Sequence, residues 1–178
     1  GIRSFHVTGV QTCALPIFYD TYNTLIALSG RALEQSDYKL RYVTVRTNES
    51  EDKLIYGMDR VNTTQLMKIV EGPLDSLFLS NTVAAGDANL SLVAKSISSG
   101  KKVLIYDNEP RNKDIVKMMQ DAIKLGHDIV IWPDTVQGKD INEMIQSGIS
   151  SDEIESIISS NTFSGLEAQT KFVFWKKV

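Results

Sequence analysis

The sequence predicts an α/β protein in which a parallel sheet of about four strands is flanked by helices. Three observations carry this. Short apolar runs alternate with segments of helical period from Leu66 onward. The runs are apolar throughout and not alternately apolar and polar, as in strands covered on both faces, and helices between such strands make the sheet parallel. With 178 residues, 42% of them hydrophobic, the chain is long enough for one domain with a substantial core plus modest appendages.

The first predicted strand is "LMKIV" (66–70), closed by Glu71 and Gly72-Pro73 and followed by a short helical stretch, "LDSLFLS". "TVAA" (82–85) ends at Gly86 and leads into a helix over "ANLSLVAKSI". "KVLIY" (102–106) precedes a helix near 112–125, where Ile115, Met118, Met119, Ala122 and Ile123 recur at helical spacing, with Asp114 near the start, Lys124 near the end and Gly126 as the stop. "DIVIW" (128–132) is the fourth strand, and "DINEM" opens a helix with a capping box from Asp140 to Glu143. After Gly148, "SSDEIESIISS" reads as a capped amphipathic helix, with Ser150 and Glu153 as the box and Ile154, Ile157 and Ile158 as the stripe.

Composition narrows the function. A formal net charge of −3 argues against generic charge-driven binding of nucleic acid, though not against a local basic face. Cys13 is alone, so it forms no internal disulfide, and His6 and His127 are too few to complete a zinc site with it. No run approaches the roughly 18 apolar residues of a membrane span, so the expectation is a soluble, intracellular protein. Residues 1–17, "GIRSFHVTGVQTCALPI", show no clean period, carry one charge (Arg3) and lack an initiating Met. They resemble the conceptual translation of a sequencing adapter and are expected to contribute nothing to the core.

Carboxylates at strand ends are the chemical signal. Ligands of an open parallel sheet bind beyond the carboxyl ends of its strands. Glu71 follows the first strand, Asp107 and Glu109 the third, and Asp140 the fourth after a loop. Crowded carboxylates repel one another, which proton sharing or a divalent cation relieves. Oxygen donors without histidine favour Mg²⁺ or Mn²⁺, ions that chiefly serve phosphoryl transfer. Each acid also has a local reading. Asp75 complements a helix dipole, Asp140 caps a helix, and "DNEP" makes a turn. Glu71 resists a local reading best, and the joint placement of the acids favours a site.

"VEGPLDSLFL", "LIYDNEPRNKDIVKMM" and "GKDINEMI" resemble the Toprim catalytic domain of bacterial-type primases, topoisomerases and some nucleases. The combination EGPxDSLF, DNEPR and KDxN is closer still to DNA primases of T-even-type bacteriophages. The likeness extends through "SGRALEQSDYKLRYVTV" (29–45), "KLIYGMDRV" (53–61) and "NTFSGLEAQ" (161–169), and covers nearly all of residues 25–175. The chain departs from the family at its second motif, usually Asp-x-Asp but here Asp107-x-Glu109, and its last pair is Asp140-x-Asn142.

The resemblance implies a nucleotidyltransferase that makes short RNA primers on single-stranded DNA from ribonucleoside triphosphates. Glu71, Asp107 and Glu109 would be catalytic and hold Mg²⁺ or Mn²⁺, with Asp75 and Asp140 as further metal residues. Lys139 and Arg111 would meet phosphate, and Arg31, Arg41 and Tyr42 match basic and aromatic positions along the template groove, although "LRYVTV" reads equally as a half-buried strand with Arg41 in solvent. It also implies a domain order: residues 18–65 as the remnant of a small N-terminal subdomain, 66–148 as the Toprim core and 149–178 as a helical tail able to dock on a replicative helicase. Family members carry a cysteine-ligated zinc module ahead of this region, so the expectation is the C-terminal part of a longer protein working in the cytoplasm of an infected bacterial host. Two other classes fit the strand-end acids. A Toprim nuclease would use them to cut DNA, but the basic stretch before the core and the KDxN motif favour a primase. A phosphoreceiver-like signalling module would need a lysine in or directly after "DIVIWP", and none is there.

Overall fold

The protein is described by a computed structural model that covers residues 12–13, 16–32, 42–47, 53–86, 89–98 and 100–178. Its first part is an antiparallel sheet of β1 (Thr12–Cys13), β2 (Ile17–Tyr19), β3 (Leu25–Ala32) and β4 (Tyr42–Arg46), with β3 paired to all three others. Phe18, Ala27 and Leu54 form its small core, closed by Ile26 and Tyr56. Within residues 1–17, Thr12 and Cys13 pair with Ala32 and Arg31, and Ile17 opens β2 with 38% of its surface exposed. A free strand edge accepts a backbone whatever its side chains, so this pairing requires no matched face.

The second sheet holds β5 (Met67–Val70), β6 (Thr82–Ala84), β7 (Lys102–Ile105), β8 (Asp128–Val130) and β9 (Thr162–Phe163), in the order β6-β5-β7-β8-β9. The first four are the predicted parallel strands, each near its expected place. β9 adds a fifth, antiparallel to β8, from a two-residue segment too short to show a period. A 3₁₀ turn (Asp75–Leu77) and α1 (Leu90–Ser96), α2 (Lys113–Lys124), α3 (Ile141–Gln146), α4 (Ser151–Ser160) and α5 (Gly165–Trp175) complete the fold. The "LDSLFLS" stretch thus makes only one tight turn. Among the described residues no helix is long and apolar enough to cross a membrane.

Both faces of the sheet are buried, as strands apolar on both sides require. Met67, Ile69, Leu104 and Ile129 face α1, α2 and α5 through Leu90, Val93, Met119 and Phe172. Val70, Val103, Ile105 and Val130 face α3 and α4 through Ile141, Met144, Ile154 and Ile158. Each such side chain contributes about 1.5–3 kcal/mol on leaving water. The α4 stripe therefore packs on its own sheet, and residues 149–178 supply a strand and two helices to the same core.

One ion pair lies beside them, with Lys68 buried and Glu155 25% exposed. Lys68 projects from β5, and its Nζ donates to the Ser80 carbonyl (2.7 Å), to Ser80 Oγ (3.0 Å) and to Glu155 of α4 (3.0 Å). Burial raises the Glu155 carboxyl, but hydrogen bonds from Lys68 and from the Ser80 N–H and hydroxyl outweigh it and hold the group below the usual carboxylate range. A carboxylate shifted down stabilises the fold above its unfolded pKa, and that stability is lost as pH falls through the folded value.

Removing one partner leaves a buried charge. Glu155→Ala is expected to lower the unfolding free energy by about 3 kcal/mol, and the double change Lys68→Met with Glu155→Leu to recover most of it. Urea unfolding of the three chains checks this, and a single variant as stable as the parent would show that the pair holds nothing.

Candidate active site

The connection from β5 runs to the edge strand β6, and the next returns across β5 to β7, so the chain reverses direction between β5 and β7. Crevices at such points are where open α/β sheets place their ligands. Glu71 leaves β5 here and Asp107 lies just beyond β7. The Asp107 N–H donates to Glu71 Oε1 at 3.1 Å, so the two chain ends are joined through one of the acids itself.

The turn after Glu71 folds Asp75 back toward the same edge. Asp75 is 9% exposed, and its Oδ1 accepts the Asn142 N–H at 2.9 Å. A Cβ on Gly72 would lie 2.5 Å from Asp75 Oδ2, so a larger residue there would push the Asp75 carboxylate out of its place over the chain. Asp140 caps α3 as expected, accepting the Glu143 N–H at 2.7 Å, while Glu143 reaches back to the Lys139 N–H at 3.0 Å. Glu109 Oε2 accepts from Asn112 Nδ2 at 3.2 Å, and Asn112 in turn caps α2. Asp75, Asp107 and Asp140 line one small cleft walled by Val70, Ile105 and Trp132.

The electrostatics follow from this crowding. Burial raises Glu71, its bond to the Asp107 N–H opposes that, and Glu109 and Asp75 raise it further. Burial also raises Asp75, with the Asn142 N–H opposing and Asp140 adding. Asp107 is pushed up to about 8, first by burial and then by Glu71, Asp75, Asp140 and Glu109 in that order. Asp107 is thus the acid on which all the others act. Among the described residues none of Glu71, Asp75, Asp107 and Glu109 has an ion-pair partner. By donor chemistry the group fits a hard divalent ion: oxygen only, partly desolvated and without a neutralising cation. Among the described residues, no three acidic, histidine or cysteine side chains are drawn together tightly enough to enclose an ion as they stand.

The predicted basic residues are placed less uniformly. Lys139 lies beside the acids, but its Nζ pairs with Glu143 (3.2 Å) and stands 3.9 Å from Asp140, and the hydrogen bond to Glu143 raises its pKa. Arg111 is exposed in the turn before α2. Arg31 and Tyr42 are cross-strand partners in the N-terminal sheet, and Arg41 lies outside the described residues.

Sequence reading missed the residues that hold the acid loops. Asn108 donates its N–H to the Lys139 carbonyl at 2.6 Å and its Nδ2 to the carbonyls of Val136 and Gly138 at 3.3 and 3.2 Å, pinning the loop before Asp140 against the end of β7. The Trp175 indole N–H donates to Asn108 Oδ1 at 3.3 Å, and the Lys177 N–H to the Pro110 carbonyl at 2.8 Å, so the end of α5 braces the same loop. Trp132 Nε1 donates to the Tyr106 carbonyl at 2.8 Å, directly before Asp107. An Asn between two acids was the only available signal. The tryptophans follow apolar segments and look like core.

No family model matches the chain. Over 109 residues, 61% of its length, it is 33% identical to the DNA primase of Enterobacteria phage T4, and the matched stretch is 30% of that relative. The fold is similar to the Aquifex aeolicus primase, in a structure of its zinc-binding and RNA polymerase domains, with a TM-score of 0.65, 18% identity and coverage of 92% of this chain and 47% of that one. It is also similar to the primase fragment of the bacteriophage T7 primase-helicase protein, with a TM-score of 0.61, 16% identity and coverage of 85% and 64%. The resemblance to phage primases that the motifs predict is borne out, and the α/β fold is that of primase catalytic cores.

The raised Asp107 carboxyl sets a pH dependence with a definite sign. Its ordinary value is 3.8 and its folded value about 8, so between them the folded chain keeps a proton that the unfolded chain has lost. Stability therefore falls as pH rises through that window, by at most about 1.4 kcal/mol per unit for one proton. In chelator, Asp107→Asn is expected to remove this fall and to be more stable than the parent above pH 8. Urea unfolding at pH 5 and pH 8.5 checks it, and parallel profiles for the two chains would exclude Asp107 as the titrating group.

Proposed function

We propose that this chain is the catalytic part of a phage-type DNA primase, which joins ribonucleotides into short RNA primers on single-stranded DNA by metal-dependent nucleotidyl transfer. One observation carries the reading most directly: Asp107, at the crevice between β5 and β7, feels four other carboxylates, and among the described residues only Asp140 of the four has a cation beside it, Lys139 at 3.9 Å. Such a cluster has a purpose if a divalent ion completes it. The T4 primase match and the primase-core fold make primer synthesis the best-supported use.

In this reading Glu71, Asp107 and Glu109 hold Mg²⁺ or Mn²⁺, and Asp75 and Asp140 position it or hold a second ion. When bound, the metal neutralises charge developing on the transferred phosphoryl group and favours the attacking ribonucleotide 3′-oxygen. The chain's own part is to keep the carboxylates in place: the Glu71 bond fixes the Asp107 backbone, Asn142 fixes Asp75, and the end of α3 fixes Asp140. Lys139 and Arg111 contact phosphate, Lys139 by leaving Glu143 for a stronger anion. Arg31, Arg41 and Tyr42 line the template path, suited to phosphate contact and base stacking on a single strand.

The domain order proposed with it is 1–17 a segment of non-native sequence whose Thr12, Cys13 and Ile17 nevertheless pair with β3, 18–65 an N-terminal subdomain, 66–148 the Toprim core and 149–178 a C-terminal tail packed on that core. A replicative helicase is the proposed partner, supported by the similarity to the T7 primase-helicase fragment, and the cytoplasm of an infected bacterium the proposed setting.

The test is incubation with single-stranded DNA, Mg²⁺ and labelled ribonucleotides. Short RNA products are expected, with Asp107→Asn reducing their yield by about 10²–10³-fold, the scale for losing one electrostatic group of a transition-state site. Calorimetric Mg²⁺ titration should show weaker binding by the variant. Cleaved DNA without RNA products would replace the primase by a nuclease, and equal Mg²⁺ binding by the two chains would remove Asp107 from the metal site.

A further inference from the structure

Arg60 belongs to none of the acid motifs, yet three contacts hold its guanidinium. Nη2 donates to Ser76 Oγ at 2.9 Å. Cζ stands 4.7 Å from the centroid of the Tyr56 ring. The group also lies flush on Gly57, whose φ of +89° favours glycine and where a Cβ would meet Nη2 at 2.9 Å. Each anchor is itself fixed. Ser76 is 2% exposed and donates its hydroxyl to the Pro73 carbonyl at 2.7 Å, which leaves its oxygen to accept from Arg60. Tyr56 meets Phe18 edge-on at 5.8 Å, and its backbone exchanges hydrogen bonds with Ala84 at 2.9 and 3.0 Å.

A structural arginine ordinarily ends on a carboxylate. Among the described residues Arg60 has none, and the residue is exposed. A guanidinium carries five N–H donors, and here one is used. Holding a long exposed side chain still costs rotamer entropy that a single hydroxyl bond and a ring contact offset only in part. A fixed, uncompensated planar fork is the geometry that recognises phosphate. Its place is also specific: Ser76 directly follows Asp75 in the Gly72–Ser76 turn, so Arg60 grips the element that carries one of the acids.

We propose that Arg60, seated over Tyr56 and anchored by Ser76, binds a phosphoester anion beside the turn that carries Asp75 of the acid cluster. This rests on reading that cluster as a nucleotidyl-transfer site. The anion belongs either to the incoming nucleoside triphosphate or to the backbone of the DNA strand, since both present the same charge and oxygen geometry.

The experiment uses the full chain with Arg60→Ala, Arg60→Gln and Arg60→Lys. Gln keeps a donor for Ser76 but removes the charge, and so serves even if Ala unfolds. Fluorescein-labelled dT12 is titrated by anisotropy at several salt concentrations, and MgATP by calorimetry. Arg60→Gln is expected to weaken one of the two probes about tenfold, the scale for losing a charge-assisted hydrogen bond, with Arg60→Lys between Gln and the parent because it keeps charge without the fork. Loss on dT12, with the slope of log affinity against log salt flattened by about 0.7, identifies the strand; loss on MgATP identifies the nucleotide. A clamp with no ligand would move neither the salt slope nor the order of Arg, Lys and Gln. Unchanged affinity of Arg60→Gln for both probes overturns the assignment while leaving the acid-cluster reading intact, whereas a parent chain that binds neither probe overturns both.

Discussion

The bond from the Asp107 N–H to the Glu71 carboxylate is the constraint on which the acid edge depends. β5 and β7 pair in parallel as far as Val70 and Ile105, and beyond that point no backbone ladder continues between them. Glu71 supplies the missing acceptor with its side chain. A partly buried N–H is thereby satisfied, and two acids that lie 36 residues apart are held beside each other. Satisfying the backbone and crowding the charges are one act, which explains why a carboxylate stands directly after a buried strand.

Crowding is destabilising unless something offsets it, and the rest of the fold supplies the offset. Two apolar layers clamp the sheet from both faces, and the Lys68–Glu155 pair ties α4 to β5 on the edge-strand side. Around the acids the loops are held by polar contacts. Asn108 joins the turn after β7 to the loop before Asp140, and Trp132 and Trp175 bind that turn from just beyond β8 and from the last helix. The C-terminal helix is therefore part of what shapes the acid edge, although it contributes none of the acids.

The structure also sorts the basic residues by freedom. Lys139 has two acidic neighbours and its backbone supports Asn108. Among the described residues Arg60 is held without an acid, on the seam where Tyr56 and Phe18 join the N-terminal sheet to the edge of the parallel one. Which cations are left without an acid is a pattern that charge counting along the chain does not reveal, because it depends on which pairs form.

The sequence by itself determined the elements and the acids. Runs apolar on both faces specify strands that must be covered twice, and the Asp140, Ser150 and α2 signals act over a few helical turns, so four parallel strands, the helix α2 and the capped helices α3 and α4 were legible from local pattern. Glu71, Asp107, Glu109 and Asp140 could be named because strand ends share an edge of a parallel sheet, and Asp75 through the resemblance of its motif. Only the tertiary structure decided how they are held and how unequal they are. The short β9, the indole bonds to the Asn108 side chain and the Tyr106 carbonyl, the ion pair of Lys68 with a residue 87 positions away, and the rise of Asp107 to about 8 all depend on contacts between distant segments and on the water those contacts exclude. Local periodicity encodes which face a residue shows, but desolvation and partner choice exist only after the chain has closed on itself.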